Sequence, residues 1–266
     1  MEQTNKNFKW LIVDDGSKDN TKDLINSWIS ENEIEIKYLK QENSGKMQAH
    51  NVGVLNTETP LFLCVDSDDY LSSNAVQVIL ESYSNWKDRN DIAGVVAYKV
   101  SQDGNPLGNY FPQGIKESGL NDLYRKGFKG DATLVFKTAV IKNFLFPKFN
   151  EEKFLTEDYV YCQIDQKYKY VVLPESITFC EYLSDGYSQN ILKIMNNNPV
   201  GMAEYYNLKS KYAKTFLESL KYVSGYVCYS KIAKIKHAFK NAKCKFKYFL
   251  AYPIGVLLYL KRKNIK

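Results

Sequence analysis

Short apolar runs alternate with amphipathic helical patterns along the first 100 residues of the chain. Each run suits one buried strand, and each helical pattern has the spacing of a helix with one apolar face. The predicted strands cover residues 8–13, 34–39, 61–65 and 92–100, and the helices between them end near residues 30, 55 and 83. Strands separated by helices of this length favour parallel pairing. The pattern therefore predicts an α/β fold, with a doubly wound, mostly parallel sheet covered by helices on both faces.

The pattern changes after residue 100. Residues 101–150 are rich in glycine and proline and are predicted to form loops or a meander. The elements predicted next are a helix over 156–166 and strands near 170–173 and 177–182. Residues 196–199 resemble a linker, and the chain beyond them is helical and basic. We therefore expect a principal domain over residues 1–195 and a helical basic C-terminal region over residues 196–266.

Charge is distributed unevenly along the chain. The 266 residues contain 36 Lys or Arg and 30 Asp or Glu, for a net charge of +6. Residues 207–266 hold fifteen bases and one acid, Glu218, whereas residues 1–206 carry a net charge of −8. An acidic body with a basic tail indicates a catalytic or binding body with an electrostatic anchor. It is not the charge distribution of a nucleic-acid-binding domain.

Overall composition excludes several classes of protein. The apolar fraction of 44% and the charged fraction of 25% are typical of a globular chain, which excludes a wholly disordered, collagen-like or multi-span membrane protein. The five cysteines include no C-x-x-C pair, which predicts neither a zinc site nor a disulfide framework. This cysteine usage favours a reducing cytosol.

Two acidic clusters follow directly after predicted strands. Asp14 and Asp15 follow the first strand, and Asp66, Asp68 and Asp69 follow the third. Doubly wound sheets bind ligands beyond the carboxyl ends of their strands. A D-x-D pair there supplies oxygen ligands for a divalent metal that bridges two phosphates. Each cluster by itself also fits a solvated turn leading into the next helix.

Two further polar segments carry candidate chemistry. In Asn43–Asn51, a glycine turn precedes Lys46, whose ammonium suits a diphosphate, although a lysine beside a glycine is also typical of a surface turn. His50 fits a packed helix residue better than a catalyst. Glu157 and Asp158 open an amphipathic helix. They are either first-turn acids stabilised by the helix dipole or a positioned general base.

The order of these motifs resembles glycosyltransferase family 2, whose members are inverting nucleotide-sugar enzymes with a GT-A-type, Rossmann-like fold. The resemblance rests on LIVDDGSKDNT and LFLCVDSDDYL, on the pattern N-x-G-K-x-x-A-x-N between them, and on the later Glu-Asp pair. It covers roughly residues 1–190. The segment CEYLSDGYSQNI, residues 180–191, is similar to the one after the Glu-Asp pair in bacterial polysaccharide and teichoic-acid transferases.

The resemblance implies a UDP-sugar site built from the first three motifs. Asp15 is expected to contact the uracil, with Asp14 supporting the turn. Lys46 and Asn51 are expected to line the nucleotide pocket. Asp66 is expected to face the ribose or the metal.

The resemblance also implies a Mg²⁺ or Mn²⁺ ion and a catalytic base. Asp68 is expected to ligate the ion, with Asp66 and Asp69 beside it. Asp158, with Glu157 as its neighbour, is expected to take the proton from the acceptor hydroxyl. The implied reaction transfers a sugar from a UDP-sugar to a glycan or polyprenyl-linked acceptor with inversion, in the synthesis of a bacterial cell-surface polysaccharide.

Two features depart from the family's pattern. His50 stands where family members often have an arginine, which puts a cationic contact there in doubt. The family normally begins with a further strand and helix, and here only residues 1–7 precede the first predicted strand. We therefore expect this chain to be poorly active and unstable, and an upstream-extended version to transfer sugar. The alternative function is a catalytically impaired remnant or a membrane-associated scaffold.

Apolar residues of the basic tail fall at helical spacing from Ile232 to Phe249, with lysines around them. Tyr248–Leu260 is mostly apolar, but its thirteen residues are too few to cross a bilayer, which takes about 20. The pattern indicates an interfacial helix attracted to anionic lipid, and a cytoplasmic protein peripheral at the inner face of the plasma membrane. The same stripe would alternatively pack on the protein's own body. No base-reading motif accompanies it, so no nucleic-acid partner is expected.

Overall fold

The computed structural model describes residues 2–180 and 187–264. The chain divides into two compact units, and neither is continuous in sequence. The first unit contains Met1–Ser44, Ala49–Leu145 and Gln163–Tyr182, and the second contains Gly45–Gln48, Phe146–Cys162 and Leu183–Lys266. Lys46 and the Glu-Asp pair therefore belong to the same unit as the C-terminal helices. The domain boundary expected at residue 195 stays a prediction.

Strands and helices are interspersed along the first 180 residues. The strands are β1 (Lys9–Asp14), β2 (Glu35–Lys40), β3 (Leu61–Leu63), β4 (Asp69–Leu71), β5 (Ile92–Val100), β6 (Glu117–Ser118), β7 (Ala132–Lys137) and β8 (Lys169–Cys180). The helices are α1 (Thr21–Glu31), α2 (Lys46–Asn56), α3 (Ala75–Ser84), α4 (Leu120–Arg125), α5 (Thr138–Ile141) and α6 (Asp158–Ile164). Among the elements predicted over the first 100 residues, the observed strands begin within one residue of the expected positions.

The strands form a two-stranded sheet, β1-β2, and a six-stranded sheet in the order β3-β7-β5-β8-β4, with β6 also paired to β8. The two longest ladders are parallel: β1 pairs with β2 over six residue pairs, and β5 pairs with β8 over eight. The shorter ladders, which involve β3, β4, β6 and β7, are antiparallel. The predicted α/β class with a Rossmann-like sheet is confirmed.

Strand β5 lies in the middle of the larger sheet, and it is buried along almost its whole length. Its residues Ile92, Val95 and Ala97 pack with Ile79 of α3 and Ile177 of β8 in one apolar cluster. Burial on both faces explains the continuous apolar sequence of this strand, which contrasts with the alternation of a half-exposed strand.

One long strand, β8, replaces the two strands predicted near residues 170–173 and 177–182. Its pairing with β5 skips two residues, because Leu173 pairs with Ala97 and Ser176 pairs with Tyr98. The skipped pair includes Pro174, which has no N–H to donate to the ladder. A bulge at the proline lets the strand continue. The break expected between two strands is therefore an irregularity within one strand.

The second unit is mainly helical. Its helices after residue 186 are α7 (Tyr187–Asn197), α8 (Pro199–Tyr212), α9 (Phe216–Ile232), α10 (Ala238–Asn241) and α11 (Lys245–Arg262). The hydroxyl of Thr215 caps α9 by accepting the N–H of Glu218 at 3.1 Å. A second apolar cluster, containing Met202 of α8, Val227 of α9 and Ala251 of α11, holds these helices together.

The apolar stripe predicted to form one interfacial helix is divided in the structure. Helix α9 ends at Ile232, and Lys234 and His237 adopt left-handed conformations with φ of 52° and 57°. A left-handed residue cannot continue a right-handed helix, so the prediction of a single helix from Ile232 to Phe249 is wrong. Among the described residues, none of the helices combines the length and the apolar character needed to cross a membrane.

Candidate active site

Asp14 ends β1, and its carboxylate is buried in the loop that follows. Its Oδ1 accepts the backbone N–H of Ser17 at 2.6 Å, and its Oδ2 accepts the hydroxyl of Tyr38 at 2.5 Å. The Nζ of Lys40 lies 3.4 Å from Oδ2. Burial alone raises the pKa of Asp14, but the hydrogen bonds and the nearby ammonium outweigh burial and hold the pKa well below its usual range. The charged form of Asp14 therefore stabilises this loop.

Asp15 joins the first motif to the loop after β2. Its Oδ1 accepts the backbone N–H of Ser44 and the side-chain amide of Gln41, both at 2.7 Å. The two loops approach so closely that a Cβ on Gly16, whose φ is +90°, would lie 2.9 Å from the backbone nitrogen of Asn43. The contact of Asp15 with uracil stays a prediction.

Helix α2 carries the residues expected beside the nucleotide. The Nζ of Lys46 lies 2.8 Å from Oε1 of Glu157, so the lysine pairs with the neighbour of the expected base. Asn51 is buried. His50 is also buried and packs edge-on against Phe62, with 5.3 Å between ring centroids. The structure therefore agrees with the prediction that His50 is a packed residue of the helix.

The acidic cluster after β3 forms a compact group of oxygen ligands. Asp66, Asp68 and Asp69 each offer a carboxylate oxygen, and these three atoms lie within 4.8 Å of one another. The Oδ1 of Asp69 is buried and has no hydrogen-bond partner among the described residues. Carboxylate oxygens are the ligands that Mg²⁺ and Mn²⁺ prefer. The donor set therefore fits either ion.

Lys99 on β5 compensates part of the negative charge of this cluster. Its Nζ lies 2.5 Å from Oδ2 of Asp69, whose side chain is only 3% exposed. Burial lowers the pKa of Lys99, but the Asp69 carboxylate outweighs burial and raises that pKa overall. Burial, together with Asp69, also raises the pKa of the Cys180 thiol to about 12. Asp69 is thus anchored to the sheet, whereas Asp68 is exposed.

Asp158 begins α6 and is held by two residues of α8. Its Oδ2 accepts a hydrogen bond from the Tyr205 hydroxyl at 2.8 Å and lies 2.7 Å from the Nζ of Lys209. Lys209 is almost fully buried, while 27% of the Asp158 side chain stays exposed. A carboxylate that is exposed on one side and anchored on the other has the arrangement of a positioned base.

Lys99, Tyr205 and Lys209 were not identified from the sequence. Tyr205 and Lys209 are spaced i, i+4, and that spacing places both side chains on one face of a helix. The pattern alone does not show which carboxylate they face, because Asp158 is distant in sequence.

The structure places the expected site residues in both units. The first unit contains Asp14, Asp15, Asn51 and the cluster Asp66, Asp68 and Asp69, and the second contains Lys46, Glu157 and Asp158. Of the segment CEYLSDGYSQNI, residues 181–186 lie outside the described residues.

Comparison with known proteins identifies the family. Residues 1–144 match the family described as Glycosyl transferase family 2. The chain is 36% identical over 85 residues to the teichoic acid poly(glycerol phosphate) polymerase of Staphylococcus epidermidis, covering 32% of this chain and 12% of that protein. It is 30% identical over 123 residues to the minor teichoic acid biosynthesis protein GgaA of Bacillus subtilis, covering 45% of this chain and 28% of that protein. The chain thus spans less than a third of the length of these relatives.

Solved structures show the same fold. The S. aureus TarS 1-349 structure in complex with UDP-GlcNAc matches with a TM-score of 0.59 at 14% identity, covering 98% of this chain and 85% of that one. The complex of the same protein with UDP also gives a TM-score of 0.59, at 15% identity, covering 98% of this chain and 83% of that one. Since the matched family covers more than half of its residues, this chain belongs to glycosyltransferase family 2 and has a GT-A-type fold.

Proposed function

We propose that this chain is the catalytic region of an inverting, metal-dependent glycosyltransferase. It transfers a sugar from a UDP-sugar to a glycan or lipid-linked acceptor in the synthesis of a bacterial cell-surface polysaccharide. The observation that carries the proposal is the group of Asp66, Asp68 and Asp69, whose oxygens lie within 4.8 Å of one another at the position of the family's acidic motif. UDP and UDP-GlcNAc in the TarS complexes support the donor class, and the teichoic-acid relatives support the product class.

On the donor side, Asp68 and Asp66 are the proposed ligands of Mg²⁺ or Mn²⁺. Asp69 is already paired with Lys99, so its part is to position the cluster and to offer its buried Oδ1. A divalent ion bound here supplies positive charge that stabilises the departing diphosphate. Asp15, the first residue after β1, is the proposed contact for uracil.

On the acceptor side, Asp158 is the proposed base. It takes the proton from the acceptor hydroxyl as that oxygen forms a bond to the anomeric carbon. The bond between this carbon and the UDP oxygen breaks on the opposite face, and UDP leaves with the bonding electrons. A single displacement of this kind inverts the anomeric centre. Glu157, which is paired with Lys46, is the proposed structural neighbour of the base.

Release of UDP from a panel of UDP-sugars, measured with Mn²⁺ and a glycan acceptor, tests this function. Asp158→Asn removes the base, so we expect it to lower turnover by about 10²- to 10⁴-fold. Asp23→Asn, an exposed change on α1, is the control and should leave turnover unchanged. Full turnover by Asp158→Asn would contradict the assignment of the base. Binding of UDP with no release from any donor would favour the alternative of a catalytically impaired remnant or scaffold.

We also propose that the second unit binds an anionic membrane surface. The outward face of α11 carries exposed apolar side chains at helical spacing, including Phe246, Phe249, Ile254 and Leu257, of which Phe246 is 76% exposed. Its inward face, with Tyr248 and Ala251, packs in the unit's own core. Because the inward face of α11 already packs in the unit, its exposed apolar face is available to insert into the apolar part of a membrane.

The charge around this face selects the kind of partner. Residues 207–266 hold fifteen bases and a single acid. Each base near an anionic membrane surface contributes about 1 kcal/mol to binding. Anionic lipid therefore complements both the charge and the apolar face. Binding at the inner face of the plasma membrane would bring the chain to lipid-linked acceptors.

A further inference from the structure

A buried lysine faces the proposed base. Lys209 is 3% exposed, and its Nζ lies 2.7 Å from Oδ2 of Asp158. Helix α8 places Tyr205 one turn earlier, with its hydroxyl 2.8 Å from the same oxygen. The Nζ of Lys209 also lies 5.3 Å from the centre of the Tyr222 ring, on α9. Three elements of one unit therefore surround this ion pair.

A buried ammonium is costly unless a nearby carboxylate compensates it. Burial lowers the pKa of Lys209, but the Asp158 carboxylate outweighs burial and raises the pKa overall. Burial and the same carboxylate raise the pKa of Tyr205 well above its ordinary value. Lys209 is thus charged and Tyr205 neutral over the physiological range, so both donate to Asp158. Among the described residues, the titratable side chains of Tyr222, Tyr206 and Cys162 also lie near this pair.

We propose that Lys209 is a positioning residue that, together with Tyr205, fixes the orientation of the Asp158 carboxylate for proton abstraction. This inference rests on the proposed function. Two donors on one oxygen fix the plane of the carboxylate while part of the side chain stays exposed toward solvent. Lys209 itself keeps its proton throughout.

The values of kcat and KM for UDP release, normalised to the concentration of UDP-binding sites, test this role. Lys209→Met removes one of the two donors, so we expect kcat to fall about tenfold or more, because a misplaced catalytic group slows the chemical step. The KM for the UDP-sugar should stay unchanged, since Lys209 does not contact the proposed donor site. Lys209→Arg keeps the charge and a donor and should restore most of the wild-type kcat.

An unchanged kcat in Lys209→Met would overturn the inference. Should Lys209→Met not fold, Tyr205→Phe removes one donor without leaving a buried charge, and we expect a smaller fall in kcat. An unchanged kcat in that variant would also count against the inference. Full turnover by Asp158→Asn would contradict the proposed function instead, so the two failures are distinguishable.

Discussion

The carboxylates of the acidic motifs differ in what surrounds them. Asp14 and Asp69 are buried and lie 3.4 and 2.5 Å from lysine ammonium groups. Asp68 is exposed, and Asp158 keeps 27% of its side chain exposed. A buried charge has to be compensated inside the protein, whereas an exposed one can exchange water for a ligand. The lysine-paired oxygens of Asp14 and Asp69 therefore stabilise the structure, and the carboxylates of Asp68 and Asp158 are the main candidates for chemistry.

Asp14→Asn tests the stabilising role. The pKa of Asp14 is depressed in the folded chain, so its charge contributes stability above the unfolded pKa of about 3.9, and the contribution is lost as the pH falls through the folded value. We expect the variant to lower the free energy of unfolding at pH 7 by about 2 kcal/mol, the size of hydrogen bonds to a charged group. The difference from wild type should shrink below pH of about 4. Urea unfolding at pH 7 and below a pH of about 4 measures the two differences in stability, with Asp23→Asn as the control. Equal stability of Asp14→Asn and wild type at pH 7 would contradict the stabilising role of Asp14.

At the residue scale, sequence motifs locate the acids but not their partners. Asp66, Asp68 and Asp158 are recognisable because short local patterns carry them. Lys99 and Lys209 look like ordinary lysines in the sequence, because only tertiary packing brings them beside Asp69 and Asp158.

Two helix glycines show how closely the elements of each unit approach. A Cβ on Gly255 of α11 would lie 2.5 Å from Cβ of Val227 on α9, a distance that side chains do not tolerate. A Cβ on Gly53 of α2 would lie 3.8 Å from the nearest atoms of Val13 and Phe62, in ordinary contact. The α9–α11 packing therefore requires a glycine, and the packing around Gly53 does not.

The pair Gly255→Ala and Gly53→Ala tests this packing. Both variants replace a glycine inside a helix with alanine. Alanine is more favourable than glycine in a helix interior by about 0.5 to 1 kcal/mol. At Gly255 we expect steric overlap, which costs about 1 to 3 kcal/mol, to outweigh that gain and lower the thermal midpoint. At Gly53 we expect an unchanged or raised midpoint. Equal midpoints for the two variants would contradict the requirement for glycine between α9 and α11.

Element prediction succeeds where the hydrophobic period is regular. Apart from β4, which was not predicted because it follows no apolar run, the strands and helices of the first 100 residues follow their apolar runs, and β5 is recognisable by its unbroken apolar sequence. The tail could not be predicted in the same way, because its helical spacing continues through Lys234 and His237, where the backbone is left-handed. The bulge of β8 at Pro174 was not predicted either, because a proline within an apolar run indicates the boundary of a strand as readily as a bulge inside one strand.

For the whole molecule, the separation of charge bears on the proposed membrane binding. The acidic residues 1–206 hold the family's motifs, and the basic residues 207–266 hold the exposed apolar face of α11. The charge asymmetry is evident from the sequence, whereas the apolar face depends on which side of α11 is covered by α9. An anionic surface would attract the basic region and repel the acidic one.

Vesicle flotation tests membrane binding. We expect recovery with vesicles that contain phosphatidylglycerol, little recovery with phosphatidylcholine alone, and lower recovery at high salt, because salt screens exposed charges. The double variant Phe249→Ser and Leu257→Ser should reduce recovery several-fold, since each removes about 1.5 to 3 kcal/mol of apolar burial. The control is Leu55→Ser, which changes an exposed leucine of α2. Equal recovery with neutral and anionic vesicles would contradict electrostatic attraction.

The proposed function depends above all on a divalent ion, held by the acidic cluster, through which the chain binds a UDP-sugar. Calorimetric titration with UDP, in the presence of Mn²⁺ or of EDTA, is the decisive experiment. We expect UDP to bind only with Mn²⁺. Asp68→Asn should weaken binding by about tenfold or more, equivalent to about 1.4 kcal/mol, and Asp158→Asn should bind as wild type. Equal UDP affinity in EDTA, or no loss in Asp68→Asn, would contradict a metal-mediated donor site.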